Sequence, residues 1–216
     1  MNDSGTKPSA QAAETRARIL DAGLNAFWEK GYYSTTTREI ASAVGLSSAG
    51  MYVYFQSKQH LLAEIVESSH VDLVAVLDDV EAHDGAPARR LAGLVAAFSS
   101  FNADHQRTAL VAERELGALE PESFERVRGL RDHIVELMRT AVADGIADGS
   151  FDVDVDETHD LVLGLVAISK DLARWYQPDG PLSAEELGAL HGKWALRLVR
   201  ATEAGNPSRK DDHHDD

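Results

Sequence analysis

Apolar residues recur along this chain at the three- and four-residue spacing of an α-helix, and no stretch alternates apolar and polar side chains as a half-buried strand would. A chain patterned this way can bury its stripes only by laying helix against helix, so the expected fold class is all-α, with about nine helices. The first covers residues 11–30, carrying Ile19, Leu20, Gly23, Leu24, Phe27 and Trp28 on one stripe, and Gly31 stops it. Hydroxyls at 34–37 start a short second helix over 37–43, Val44-Gly45-Leu46 turns the chain, and Ser47 or Ser48 caps a third helix ending near Tyr54. Ser57 caps a long fourth helix to about residue 82, and Pro87 suits the first turn of a fifth ending near 103. The sixth is expected over 106–119, the seventh from Pro121 to about 147, and the eighth over 156–176. Ser183 with Glu186 forms a capping box for a ninth, ending near Thr202.

The 216 residues suffice for one domain, or for a small one joined to a larger one. There is no cysteine, which excludes a disulfide framework and any thiolate zinc site. Residues 1–13 are polar, unlike a signal peptide, and no apolar run approaches the ~20 residues of a membrane span. A soluble, cytoplasmic protein without membrane contact is the expectation. The net charge of −15 looks wrong for a nucleic-acid binder until it is divided along the chain. Residues 1–60 hold six Lys/Arg against five Asp/Glu, net +1, whereas the remaining 156 hold 15 against 31, net −16. An acidic body on a near-neutral head allows polyanion contact at one end.

The segment 37–55 carries the most specific spacing. Two short helices crossing steeply through a tight turn need a small residue where they approach, which Ala41 supplies, and a turn residue free to adopt positive φ, which Gly45 supplies. Ile40, Val44, Leu46, Met51 and Phe55 face inward at helical spacing, leaving Ser47, Ser48, Ala49, Gly50, Tyr52 and Tyr54 outward. Small residues at a helix start admit close backbone approach, and hydroxyls and N–H groups there can bond phosphates. Lys58 adds a charge at the start of the next helix. The spacing fits a DNA-reading helix-turn-helix; it also fits an ordinary helical hairpin with solvated polar faces.

Residues Ile19-Leu20-Asp21-Ala22, Phe27, Gly31-Tyr32, Thr36 to Ala41, Tyr52 to Lys58 and Leu61-Leu62 together resemble the amino-terminal domain of TetR-type regulators, over about 45 contiguous residues. The resemblance implies a transcriptional repressor with a DNA-binding domain at 11–62, a ligand-binding and dimerisation domain at 63–204, and a disordered arm (1–10) and tail (205–216). It places Thr37, Arg38, Ser48, Ala49, Gly50, Tyr52, Tyr54 and Lys58 against double-stranded operator DNA. Val53-Tyr54 departs from the family's usual Tyr or His before Phe, and Ala49 and Gly50 leave few side chains for base readout. The family pairs its last two helices with their twofold mates, which implies a homodimer through Leu165, Leu172, Leu190, Trp194 and Leu198.

A narrower resemblance, to a TetR subgroup that includes regulators of cholesterol ring degradation, rests on Glu115-Leu116, Leu119, Pro121-Glu122, Arg131-Asp132, Gly145, Gly149 with Phe151, and 175–183. Some members of that subgroup respond to acyl-CoA thioesters, which implies a small-molecule effector of that class and no bound cofactor. Arg131, Arg174 and Trp175 are the candidate ligand contacts. Glu113-Arg114-Glu115 reads either as polar pocket lining or as a solvated face or internal ion pair. Enzyme chemistry finds no support: the nine histidines are scattered without metal-ligand spacing, and there is neither a Gly-rich phosphate loop nor a nucleophile elbow. A helical adaptor or architectural protein without effector is the remaining alternative.

Overall fold

The computed structural model describes residues 10–83 and 85–202, and within them nine α-helices and two short 3-10 turns. The expected terminal arm and tail lie outside the described residues, apart from Ala10, which opens the first helix. In chain order the helices are α1 (Ala10–Lys30), α2 (Thr37–Ala43), α3 (Ser48–Tyr52), α4 (Lys58–His83), α5 (Pro87–Asp104), α6 (Gln106–Arg114), α7 (Pro121–Ala147), α8 (Thr158–Trp175) and α9 (Ala184–Leu198). The 3-10 turns are Leu116–Ala118 and Val155–Glu157.

Local chemistry accounts for most boundaries. Thr36 caps α2 in a reciprocal box with Glu39, and Ser183 does the same for α9 with Glu186, each pair satisfying two otherwise orphaned N–H groups. Pro87 and Pro121 sit in the first turns of α5 and α7, where a missing N–H costs nothing. The sixth helix is shorter than its periodicity suggests. It ends at Arg114, and the expected continuation to 119 is a separate 3-10 turn because the chain bends at Glu115 (φ −100°, ψ 8°).

Two large apolar cores run through the described residues, with a small third cluster of Ala103, Leu172, Ala184 and Leu187. The first gathers Ile19 and Phe27 of α1, Ile40 and Ala41 of α2, Met51 and Phe55, and the first half of α4, and also takes in Val111, Ala112 and Val127 from α6 and α7. The second joins Leu73 and Leu77 of α4 to α5, α7, α8 and α9. The boundary expected at 62/63 falls inside α4, and the packing passes from one core to the other between Val66 and Leu73. Helix α4 is therefore a shared beam, not a member of one half.

Helix α9 lies on α5 with almost no space between backbones. A methyl group at Gly188 would sit 2.5 Å from the Ala96 carbonyl oxygen, and one at Gly192 would sit 2.5 Å from that of Ala92. This close crossing leaves one side of α9, with Trp194 and Leu198, facing outward. Leu165 and Leu172 of α8, expected on a dimer face, are 1% and 0% exposed inside their own subunit. Leu165 is spent on the second core with α5 and α7, and Leu172 packs with Ala103 of α5 and Ala184 and Leu187 of α9, so a substitution at either reports on folding before it reports on assembly.

Candidate nucleic-acid interface and effector cavity

Helices of seven and five residues are too short to persist alone, and α2 and α3 are held by what they bury. Ile40, Ala41, Met51 and Phe55 are at most 1% exposed. Gly45 turns between the helices at φ +76°, a conformation that a Cβ would strain. Thr35, whose part sequence reasoning missed, is buried in the preceding loop, its hydroxyl donating to the carbonyls of Ala26 (3.1 Å) and Gly31 (2.8 Å).

On the outer surface, Arg38, Ala49 and Tyr52 are exposed, while Thr37, Ser48 and Gly50 are half-buried beside them. The Thr37 and Tyr52 hydroxyls lie 3.5 Å apart, so α2 and α3 present a continuous hydroxyl-bearing face. Two positions depart from expectation. Tyr54 is partly buried against the first core, and Val53 stands out at 79% exposure instead. Helix α3 ends at Tyr52, so helical spacing extrapolated to 54 points the wrong way.

Lys58 is the other departure. Its Nζ donates to the carbonyls of Tyr32 and Thr35, both at 2.7 Å, and lies 4.3 Å from the centre of the Tyr32 ring. Its charge closes the α1–α2 loop from the start of α4. The remaining head cations are similarly engaged. Arg16 pairs with Glu64, Arg18 donates to the Val44 carbonyl (3.0 Å), and Lys30 pairs with Glu39 (2.7 Å). That last contact, with the Thr36 bonds, holds the Glu39 carboxyl down to about 2. Among the described residues of the head, Arg38 is the cation with no internal partner.

The body contains an apolar cavity of about 230 Å³ between α4, α5, α6, α7 and α8, walled by Leu73, Phe98, Ala109, Ile134, Val135 and Val166. One end is charged. Glu113 accepts from Lys170 at 2.9 Å and Arg131 at 3.4 Å. Burial would raise the Glu113 carboxyl, but the Lys170 hydrogen bond and the charges of Lys170, Arg131 and Arg174 outweigh it and hold it below the usual range. Arg131 also donates from Nε to His70 Nε2 (3.1 Å). That nitrogen must then accept, so the ring proton sits on Nδ1 and is donated to the Val66 carbonyl (2.8 Å), leaving a neutral imidazole. Burial, with Arg131 nearby, pushes the His70 pKa below its ordinary value, as that arrangement requires.

Of the three expected ligand residues, Arg131 lines the cavity. Arg174 is exposed and paired with Asp171 (2.9 Å), reaching the site only through its effect on Glu113. Trp175 is 49% exposed on the outside of α8, away from the cavity, near His191. Sequence reasoning missed His70 and Lys170, which lie far along the chain from Arg131. Glu113 meets both descriptions offered for its segment, as cavity lining and as an internal ion-pair partner.

The assignment of Lys58 to the loop predicts a stability effect. Lys58→Met should lower stability by about 2 kcal/mol, the scale of hydrogen bonds to a charged group, and the melting temperature by roughly 4–8 °C. An unchanged melting temperature would return the lysine to the solvent-facing side.

Comparison with known proteins agrees with this architecture. Residues 19–65 match the family model for bacterial regulatory proteins of the tetR family, and residues 84–199 match that for the tetracyclin repressor-like C-terminal domain. The HTH-type transcriptional repressor KstR2 of Mycolicibacterium smegmatis is 28% identical over 182 residues, covering 83% of this chain and 87% of that protein. The HTH-type transcriptional activator FasR of the same species is 30% identical over 186 residues, covering 84% and 82%. A crystal structure of AibR in complex with isovaleryl coenzyme A and operator DNA superposes with a TM-score of 0.75 at 19% identity, over 87% of this chain and 100% of that one. With the helix-turn-helix of α2 and α3 set on a helical body, the chain belongs to the TetR family of bacterial transcriptional regulators.

Proposed function

We propose that this regulator is a homodimeric repressor, released from its operator by an apolar small molecule carrying an anionic group, of which a CoA thioester is the leading candidate. One observation carries the effector assignment: a protein of net charge −15 places Arg131 and Lys170 together at one end of its apolar cavity, with Arg174 close by. The acidic body repels anions at long range, so a local cluster of bases beside an apolar chamber favours a ligand that needs both. A cavity of about 230 Å³ suits a compact acyl group, with the nucleotide portion of a thioester left outside. KstR2, named a repressor, and AibR, whose structure holds isovaleryl coenzyme A, support the same reading.

The operator contacts proposed are Thr37, Arg38, Ser48, Ala49, Gly50 and Tyr52, with Val53 added for its exposure and Lys58 acting through the loop it closes. For the dimer, Trp194 and Leu198, 37% and 50% exposed, and the half-buried Leu190 offer a second copy of the chain an apolar surface on α9. Leu163 and Trp175 extend it on α8, 44% and 49% exposed. One head makes too few contacts for specific binding, whereas two related by a twofold axis read two half-sites. No helix among the described residues is long and apolar enough to cross a membrane, and the cytoplasm is the compartment proposed.

Three outcomes test this. With a duplex enriched from a random-sequence pool by the wild-type protein, Arg38→Ala should weaken binding and reduce the salt dependence by about one phosphate contact, leaving the melting temperature alone. Failure to enrich any duplex would remove the DNA reading itself. Trp194→Glu should convert the dimer to a folded monomer, because an apolar interface cannot accept an unpaired charge; light scattering that still reports a dimer refutes this face. Titrating short-chain acyl-CoAs and the matching free acids into the fluorescent duplex complex should release the protein. No release by any of them removes the effector assignment.

A further inference from the structure

At the end of α6, Glu113 lines the cavity beside Ala112, and the next two residues, Arg114 and the cap residue Glu115, reach the DNA-reading head. Glu113 reaches into the cluster already described, tied to Arg131 of α7 and Lys170 of α8, and through Arg131 and His70 to the backbone of α4. Arg114 turns the other way. Its guanidinium donates to the carbonyl of Phe27 and lies 3.5 Å from that of Trp28, near the carboxyl end of α1. Glu115 is 6% exposed and accepts from the Tyr32 backbone N–H at 3.2 Å and from Arg114 at 2.7 Å. Tyr32 is also the residue whose carbonyl Lys58 holds. Three consecutive residues thus connect the charged end of the cavity to the loop that leads into α2.

We propose that Glu113 is an internal stand-in for the effector's anion. On this reading, which rests on the effector assignment above, the ligand's carboxylate or phosphate takes the place of Glu113 on Arg131 and Lys170, its apolar part filling the chamber between Leu73, Phe98 and Val166. The exchange is nearly balanced electrostatically, since one anion replaces another on the same two cations. The displaced carboxylate does not face a buried state either, because the Glu113 side chain is already 36% exposed and can turn to water.

What changes is the tether. With Glu113 bound, α6 is fixed to α7 and α8 at the point where it grips α1. With Glu113 displaced, that turn is free to shift, and Arg114 and Glu115 move with it because they share its backbone. The carboxyl end of α1 and the 31–36 loop then lose their fixed position against the body, and the spacing of the two heads in a dimer changes with them. The ligand has differential affinity for the two states because Glu113 competes for its site in one of them, which is the condition for any population shift.

The test uses full-length protein, the enriched duplex, and two sets of probes: butyrate, hexanoate and octanoate, and the CoA thioesters of the same acids. Glu113→Gln keeps the shape and removes the charge. Without ligand it should bind the duplex at least tenfold more weakly than wild type. It should also bind the releasing probe several-fold more tightly, because the internal competitor is gone. Glu113→Asp, which keeps the charge but shortens its reach, should fall between the two and guards against a folding defect. Glu115→Gln should weaken duplex binding without changing probe affinity. Release by the free acids puts a carboxylate on Arg131 and Lys170, and release by the thioesters alone puts a CoA phosphate there. A Glu113→Gln protein that binds the duplex like wild type overturns the proposal, even if wild type is released by the probes. One that loses probe binding overturns it too, since Glu113 would then be a ligand contact and not its competitor. Wild type indifferent to every probe would instead count against the effector assignment beneath it.

Discussion

Helices as short as α2 and α3 have no stability of their own, and the DNA-binding surface exists only because four side chains, Phe27, Ile40, Met51 and Phe55, close a common core beneath them. Each contributes roughly 1.5–3 kcal/mol by leaving water, comparable with the charge-assisted bonds of Lys58 to the loop and more than an ordinary hydrogen bond there. That core is not confined to the head. Val111, Ala112 and Val127 belong to it as well, so the body supplies part of the packing that holds the reading helices in place. The switch proposed above uses this shared packing, since α6 is part of what keeps the head in place.

Charge in the head shows how far composition falls short of surface. Counting along the chain isolates a net +1 segment, which is the right region. Yet Arg16, Arg18, Lys30 and Lys58 hold Glu64, the Val44 carbonyl, Glu39 and two loop carbonyls respectively. Basic residues in this head are mostly structural ties. The operator interface proposed above therefore draws on Arg38, on hydroxyls and on close backbone approach at Ala49 and Gly50, and less on a field of free cations. An acidic body reinforces that limit by repelling phosphate beyond the immediate contact.

Helix positions were legible in the sequence because caps and periodicity are local: Thr36 with Glu39, Ser183 with Glu186, and Pro87 and Pro121 each mark a helix start within a few residues. Errors arose where a local rule met tertiary geometry. Tyr54 follows the stripe of α3 on paper, but the helix stops two residues earlier and Val53 takes the outward place. The stripe on α8 is real, but Leu165 and Leu172 face α5 and its neighbours instead of a second subunit. Nothing in an apolar stripe says which helix will cover it. The cavity was least legible of all. His70, Glu113, Arg131 and Lys170 come from four helices, and no spacing rule joins positions so far apart; Arg131 was singled out as a contact and Glu113 only as one of two readings of its segment.

The composition of that cavity also restricts what it is for. An apolar chamber meant only to be filled by packing gains nothing from an arginine, a lysine and a carboxylate at its edge. Removing such groups from water costs several kcal/mol each, and apolar side chains of similar size serve stability as well or better. Here the cost is moderated because the side chains of Arg131, Glu113 and Lys170 remain 31%, 36% and 45% exposed, which places them at the mouth and not at the floor. His70 is the exception, more deeply set, and it is kept neutral by accepting from Arg131 while donating to Val66. A neutral histidine beneath an arginine orients the guanidinium without cancelling its charge. The mouth therefore keeps its positive character while its own acid holds one place on it, a combination suited to recognising an anion that must displace a competitor in order to bind.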